Sequence, residues 1–535
     1  MRAFASTLER LVPAALAKRA ILVPVAVYLF ALSGFLGDSY SRFDFPLDDA
    51  WIHRVYSRSI AFGHGFAYNE GEQEAGSTSP LWAVVTAPAH WLEGAGEETV
   101  AAAVKLIGVL LGLATLAAVV RIGTRVGGST LAGLIGATLF ALEPRFLFSS
   151  LAGMENILLI ALWAWACDAL LGGRFLLSVI LLSLASVTRP EAVVLLPLCL
   201  PALVQLSRRR GWSLATFAAW IIPVVPFLLW MAFCKTTTGH FLPNTYYLKT
   251  RPFEFGSAEV AIAWRAIFSN GLTSWWAFAA GVAACVSACV TAGRSRGALR
   301  VLLLTAPPVA YLVAVTGSRT IVFDGYYWTR WLDPACIMMI IPFCVGFGVL
   351  IARLVRRRDA LHQGELAARE NRRLDVLVGV AAIVVLATSF PSYQQSYIDR
   401  RDHLSSDSRA IHILNVQTGK WIAEHTPETS VVAVNDAGAI RYLGKRRTID
   451  LMGLNNRRIA FGEIERQQAI MDADWLAIFP GWFQGTPVMT AIAAGFEPRK
   501  EIRIPFEEYT VCKDPSQTVL VVFERRRPGR SPEDG

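Results

Sequence analysis

Two adjacent carboxylates, Asp48 and Asp49, stand shortly before His53 in the segment Phe45-Pro46-Leu47-Asp48-Asp49-Ala50-Trp51-Ile52-His53. Downstream, Trp51, Val55 and Phe62, with Ile52, Tyr56 and Ile60, recur near a helical period. The pattern predicts a helix that opens at the acid pair and lies flat on a membrane face. A spacing of four places Asp49 and His53 on one side of it. An acid at a helix start is an ordinary N-cap and suits the first turn. One cap needs only one side chain, so the second carboxylate is open to chemistry. It can accept a proton from a hydroxyl nucleophile, or the pair can hold a divalent cation.

The elements that must position these acids are membrane spans. Of 535 residues, 54% are apolar and only 17% charged, with 16 Trp and 29 Phe. Soluble domains carry roughly 25% charge, and mean hydropathy here is +0.42. Disorder, a fibrous chain and an ordinary cytosolic enzyme are excluded. The net charge of +9 reads as basic cytoplasmic loops, not as a nucleic-acid surface. Arg2, Arg10, Lys18 and Arg19 precede a first span at 20–36, read as retained and not as a cleaved signal. Further apolar runs lie near 99–120, 129–150, 154–171, 175–188, 191–206, 212–233, 272–292, 299–316, 333–352 and 374–390. That gives about eleven spans in a mainly α, polytopic membrane protein, with 80–92 as a re-entrant or interfacial helix.

Arginines fall in alternate connections: Arg121/Arg125, Arg174, Arg208–Arg210, Arg294/Arg296/Arg300, and Arg353 to Arg373. The bias keeps the N-terminus cytoplasmic and the C-terminus outside. The acid pair then lies in the first outer loop, 37–79. The chain divides into a membrane domain over 1–395 and a soluble extracytoplasmic α/β domain over 396–535. The latter shows a helical pattern at Ala410–Glu424 and β-rich runs at Val431–Val434, Thr448–Leu451, Trp475–Phe479, Glu501–Ile504 and Val519–Phe523. Seven of eight cysteines lie in apolar runs, and only Cys512 lies in a polar region. Neither a disulfide framework nor structural zinc is expected, and no phosphate-cradling Gly-rich loop with Lys-Ser/Thr occurs.

Several short motifs carry a resemblance. They are Asp48-Asp49-Ala50-Trp51-Ile52, Gly63-His64-Gly65, Asn69-Glu70-Gly71-Glu72, Thr78-Ser79-Pro80-Leu81-Trp82, Gly153-Met154-Glu155 and Thr188-Arg189-Pro190-Glu191. Leu242-Pro243-Asn244-Thr245-Tyr246-Tyr247-Leu248-Lys249 and Asp450-Leu451-Met452-Gly453-Leu454-Asn455 complete the set. In order and spacing the chain resembles the polytopic glycosyltransferases of the GT-C superfamily. The bacterial branch in view includes the mycobacterial terminal β-1,2-arabinofuranosyltransferase.

The resemblance implies transfer of a monosaccharide from a polyprenyl-phosphate donor to a hydroxyl of a cell-envelope glycan or glycolipid. The reaction would occur on the outer face of a bacterial inner membrane, with membrane lipid as surroundings and no nucleic acid. Asp48 or Asp49, with Asp48 slightly favoured, becomes the general base, and the other a positioning or cation-binding group. No cofactor is required, and a divalent cation on the two acids stays open. Lys249, Arg319 and Arg330 are candidates for the donor phosphate, along with Arg251. His53, Arg58, His64, Glu155, Arg189, Glu191, Asn244, Tyr246 and Tyr247 are candidates for substrate contact. Bland readings compete: an Arg189–Glu191 salt bridge across Pro190, an N-terminal acid at Glu155, interfacial tyrosines, and a turn at His64. A transporter or flippase for lipid-linked sugars, or an assembly protein, is the alternative function. Either would lack transferase activity. A transport path needs ionisable groups through the spans, and apart from Asp168 the polar groups cluster on one side.

Overall fold

The computed structural model describes residues 20–211, 213–268, 275–291, 294–322, 325–362 and 372–526. It is mainly helical. Each apolar run read as a span overlaps one or two helices, among them Leu22–Ser33, Glu97–Gly127, Asn156–Leu171, Phe175–Ser186 and Asp333–His362. By length and composition, three stretches among the described residues suffice to cross a membrane: Glu97–Gly127, Pro190–Arg209 and Asp333–Val355. Thr130–Phe140 and Pro144–Leu151 would make a fourth, bent by 69°. Pro144 opens the second half, where its missing N–H costs nothing. Among the described residues, other expected spans fall on shorter apolar helices, such as Leu22–Ser33, Asn156–Leu171 and Phe175–Ser186. The Pro-broken run 212–233 folds as two shorter helices. The 80–92 segment is a seven-residue helix, Pro80–Thr86, continued by tight turns over Ala87–Ala95, too short to span.

Asp168, the one acid that hinted at a transport path, is fully buried. Arg121 at 2.9 Å, Arg125 at 2.7 Å and Arg174 all donate to it. Three arginines on one carboxylate staple helices together and leave no mobile charge.

Residues 431–525 carry a mixed five-stranded sheet. A two-stranded hairpin in the first loop, β1 (Ala67–Asn69) and β2 (Glu72–Gln73), precedes it in the chain. The sheet strands are β3 (Val431–Val434), β4 (Arg447–Asp450), β5 (Trp475–Ile478), β6 (Phe496–Arg503) and β7 (Val519–Arg525). Their spatial order is β4-β3-β5-β7-β6, with β3 parallel to both β4 and β5. Connections from β3 thus leave toward both flanks. The carboxyl end of β3 is the kind of place where α/β sheets bind ligands. A 40-residue helix, Arg372–Ile411, runs into this region and continues through one π-helical turn into Gln417–His425. In the basic stretch between Arg353 and Arg373, residues 363–371 lie outside the described residues.

The first-loop helix, Asp48–Ala61, does not lie on a surface. Residues Ala50 to Ser57 are all buried, so it is sandwiched and not amphipathic. It packs against the Pro80–Ala95 segment on one side and the Ala439–Gly444 helix on the other. Cys512, expected in polar surroundings, is buried beside Tyr509.

Candidate active site

Asp48 and Asp49 begin the first-loop helix and point to different partners. Asp48 receives the backbone N–H groups of Gly438 at 2.7 Å and Ala439 at 2.8 Å. It therefore caps the helix Ala439–Gly444, in trans and across 390 residues. The cap requires glycine: a Cβ on Gly438 would lie 2.2 Å from the Asp48 carbonyl oxygen and 2.8 Å from its carboxyl carbon. Asp436 stands nearby, with Asn415 Nδ2 donating to it at 2.8 Å. Burial and the neighbouring Asp436 charge push Asp48 well above the usual carboxylate range, against the pull of the two N–H donors. Burial likewise pushes Asp436 up to about 6.

Asp49 instead receives Lys249 Nζ at 2.8 Å and Arg330 Nη2 at 3.3 Å. Burial alone would raise its carboxyl, but the Arg330 and Lys249 charges outweigh that and hold it far below the usual range. Arg330 is itself fixed. Its guanidinium stacks 4.1 Å from the Tyr327 ring and 4.3 Å from the Trp331 ring. Its carbonyl accepts from Asn156 Nδ2 at 3.2 Å.

Asn156 also takes Arg189 Nη1 at 2.6 Å, and Arg189 reaches Glu155 at 2.9 Å. Glu155 is 3.1 Å from His53 Nε2. Glu191 bridges Arg189 at 3.5 Å and Arg319 Nε at 2.8 Å. The expected Arg189–Glu191 pair is therefore present, but as one link of a longer chain of charges.

These groups line two cavities that share Asp49, Ile52, Lys249 and Leu454. The smaller, about 30 Å³, holds His53, Glu155, Glu191 and four cations, Arg189, Lys249, Arg319 and Arg330. The larger, about 640 Å³, opens between the first-loop helix, Tyr327–Trp328 and the region after 410. It reaches Asn435 and Asp436 at the carboxyl end of β3.

Not every candidate meets there. Arg58 and His64 line a separate pocket of about 330 Å³ with Tyr68, Glu93 and Tyr442, and Arg58 pairs with Glu93 at 2.7 Å. Asn244 is buried and structural, its Nδ2 donating to Glu74 at 3.0 Å. Tyr246 and Tyr247 line neither cavity. Tyr247 is exposed and packs edge-on to Phe461. Arg251 pairs with Glu259 at 2.7 Å. The charge pair Asp48/Asp49 does not suit a divalent cation, because their carboxylates face N–H donors on both sides. Among the described residues no three His, Cys, Asp or Glu side chains converge.

Two sequence motifs turn out to join the halves. Asp450 accepts from Met452 N, Asn455 N and Asn455 Nδ2 at 2.8–2.9 Å, closing a turn over Gly453 at φ +79°. That turn carries Leu454 into both cavities. Asn455 Oδ1 accepts from Tyr56 of the first-loop helix at 2.9 Å. Asn69 of the hairpin pairs with the backbone of Thr448 at the free edge of β4, through bonds of 2.9 and 3.0 Å. Asp436, Asn435 and Asn156 escaped the sequence reading.

The architecture resembles that of two solved structures at low sequence identity. The crystal structure of ArnT from Cupriavidus metallidurans bound to undecaprenyl phosphate matches with a TM-score of 0.57 at 15% identity, over 94% of this chain and 97% of that one. The archaeal oligosaccharyltransferase AglB from Archaeoglobus fulgidus, in complex with an inhibitory peptide and a dolichol-phosphate, matches with a TM-score of 0.53 at 12% identity. That match covers 96% of this chain and 75% of AglB. At such identities the likeness establishes the fold. Residues 403–520 match a family described as a domain of unknown function (DUF8728). No curated protein matches the chain.

Proposed function

We propose that this protein transfers a monosaccharide from a polyprenyl-phosphate donor to a hydroxyl of a cell-envelope glycan or glycolipid, on the outer face of a bacterial inner membrane. In this reading the N-terminus is cytoplasmic, about eleven helical passes form the domain up to 395, and 396–535 is extracytoplasmic. The two fold neighbours whose structures hold undecaprenyl phosphate and a dolichol-phosphate support the donor class. The motif resemblance suggests a pentofuranose.

One observation carries the proposal: Asp49 stands in the wall between a cationic cavity and a larger one, with Lys249 and Arg330 on its two oxygens. The donor phosphate enters the cationic cavity and takes hydrogen bonds from Lys249, Arg330 and Arg319. Its charge competes with Asp49 for the same two cations. Asp49 then regains basicity, so a base masked in the empty site is released by the donor. Asp49 accepts the proton of the acceptor hydroxyl, and the oxygen attacks the anomeric carbon. The bond from that carbon to the phosphate oxygen breaks, and the electron pair leaves with the polyprenyl phosphate. Lys249 and the arginines stabilise the charge that develops there. Asp48, whose oxygens are occupied by the Gly438 and Ala439 N–H groups, holds the two parts together.

Native mass spectrometry of the full-length protein with undecaprenyl phosphate tests the donor site. Lys249→Met and Arg330→Met should each weaken binding by at least about ten-fold, one charge-assisted contact apiece. Asp49→Asn should leave binding intact or tighter, because it frees both cations. Equal affinity in all variants would contradict the assignment.

A further inference from the structure

The larger cavity holds information about the acceptor. Four carboxylates line it, Asp48, Asp49, Asp436 and Asp514, against two cations, Lys249 and Arg466. The smaller cavity has the opposite balance, four cations against three acids. Donor and acceptor chambers thus differ in the sign of their charge while sharing one wall. Tyr327, Trp328 and Trp482 give the larger cavity flat aromatic faces. Two of its lining residues also carry buried N–H donors without a partner among the described residues, Asn435 Nδ2 and Trp482 Nε1. Asn435 is 3% exposed, and its Oδ1 is already committed to the Phe479 N–H at 3.0 Å. A buried donor left unpaired costs about 1–3 kcal/mol, so turning either side chain onto a ligand oxygen relieves that cost. Amide and indole donors, carboxylate acceptors and aromatic faces together match a polyhydroxylated ring. An acceptor phosphate would instead meet like charge in a partly desolvated site.

We propose that this cavity is the acceptor subsite, that its occupant is a glycan free of phosphate groups, and that Asn435, Asp436 and Trp482 hold the sugar bearing the reacting hydroxyl. The inference rests on the transferase reading above, because Asp49 joins the two chambers. Substrates are sorted by charge: the phosphorylated lipid goes to the cationic side, the phosphate-free sugar to the acidic side. The grip comes from the region after 410, so acceptor choice resides there and not in the helical membrane part.

The test uses the full-length protein in lipid nanodiscs. Probes are undecaprenyl phosphate, a panel of phosphate-free trisaccharides built from gluco, manno, galacto, arabino and 2-amino sugars, and the same trisaccharides carrying one 6- or 5-phosphate. Binding is read by saturation-transfer NMR and tryptophan fluorescence. At least one phosphate-free trisaccharide should bind, and its phosphorylated partner should bind at least about ten-fold more weakly. Trp482→Ala and Asn435→Ala should weaken sugar binding by about ten-fold, and Asp436→Asn should narrow the gap between each pair of probes. Undecaprenyl phosphate should bind all three variants as it binds the parent. Equal or tighter binding of the phosphorylated sugars overturns the proposal. So does the failure of the whole panel on protein that holds undecaprenyl phosphate. Failure to hold undecaprenyl phosphate overturns the donor assignment instead, whichever sugars bind.

Discussion

Asp48 gives both carboxylate oxygens to the N-terminus of a distant helix, while Asp49 faces two cations and both cavities. Their substitutions should therefore separate cleanly. Asp49→Asn should cut sugar transfer by about 10²–10⁴-fold, the range for loss of a general base, while the protein stays folded. Asp48→Ala removes a helix cap worth about 1–2 kcal/mol, so it should lower the thermal midpoint, and Asp48→Asn should recover part of that loss. Thermal unfolding in detergent alongside a transfer assay checks both. Equal losses of activity and stability in Asp49→Asn and Asp48→Ala would mean that the acids act as one unit. At this scale the sequence marked most of the charged groups, since paired acids and arginines near span ends stand out in an apolar chain. It could not say which acid served which role. Asp49 meets Lys249 across 200 residues and Arg330 across 281, and no local pattern reports such contacts.

The elements were more legible than their lengths. Apolar runs overlap helices throughout, and each of the five β-rich runs after 430 overlaps a strand, because burial periodicity and Gly or Asn-Asp breaks are local signals. The first-loop helix was legible too, but its surroundings were not. Its apolar pattern suits a membrane surface as well as a buried sandwich, and only tertiary packing decides between them. The motif turn Asp450–Asn455 shows what such a junction needs. A Cβ on Gly76 would fall 2.3 Å from Asn455 Oδ1, 2.5 Å from Tyr56 Oη and 2.6 Å from the Leu454 carbonyl. Gly76→Ala should therefore push the turn out of the site. We expect loss of transfer and faster proteolysis between the helical part and residues 450–456, with helical content unchanged by circular dichroism. Retained activity with an unchanged cleavage pattern would show that the turn yields without consequence.

Across the whole molecule, the site is a junction. Membrane-part cations, first-loop acids and the carboxyl end of β3 meet around Asp49, and neither half holds the full set. Asp436 ties this junction to pH. Its carboxyl, raised to about 6 chiefly by burial, binds its proton more tightly folded than unfolded. That stabilisation is complete below the unfolded value near 4 and is lost as pH rises through about 6. Stability should thus decline between pH 4 and 6.5, and Asp436→Asn should flatten the decline and be the more stable form at pH 7, by up to about 3 kcal/mol. Unfolding midpoints across that range check the sign, and a steeper decline in Asp436→Asn would refute it. The most direct measurement of the central claim is mass spectrometry of polyprenyl-phosphate sugars and envelope glycans in cells lacking the gene, complemented with the parent or with Asp49→Asn. Accumulated donor lipid and a glycan short of one sugar, corrected by the parent and not by Asp49→Asn, is the predicted result. Unchanged lipid and glycan pools, or full correction by Asp49→Asn, would contradict it.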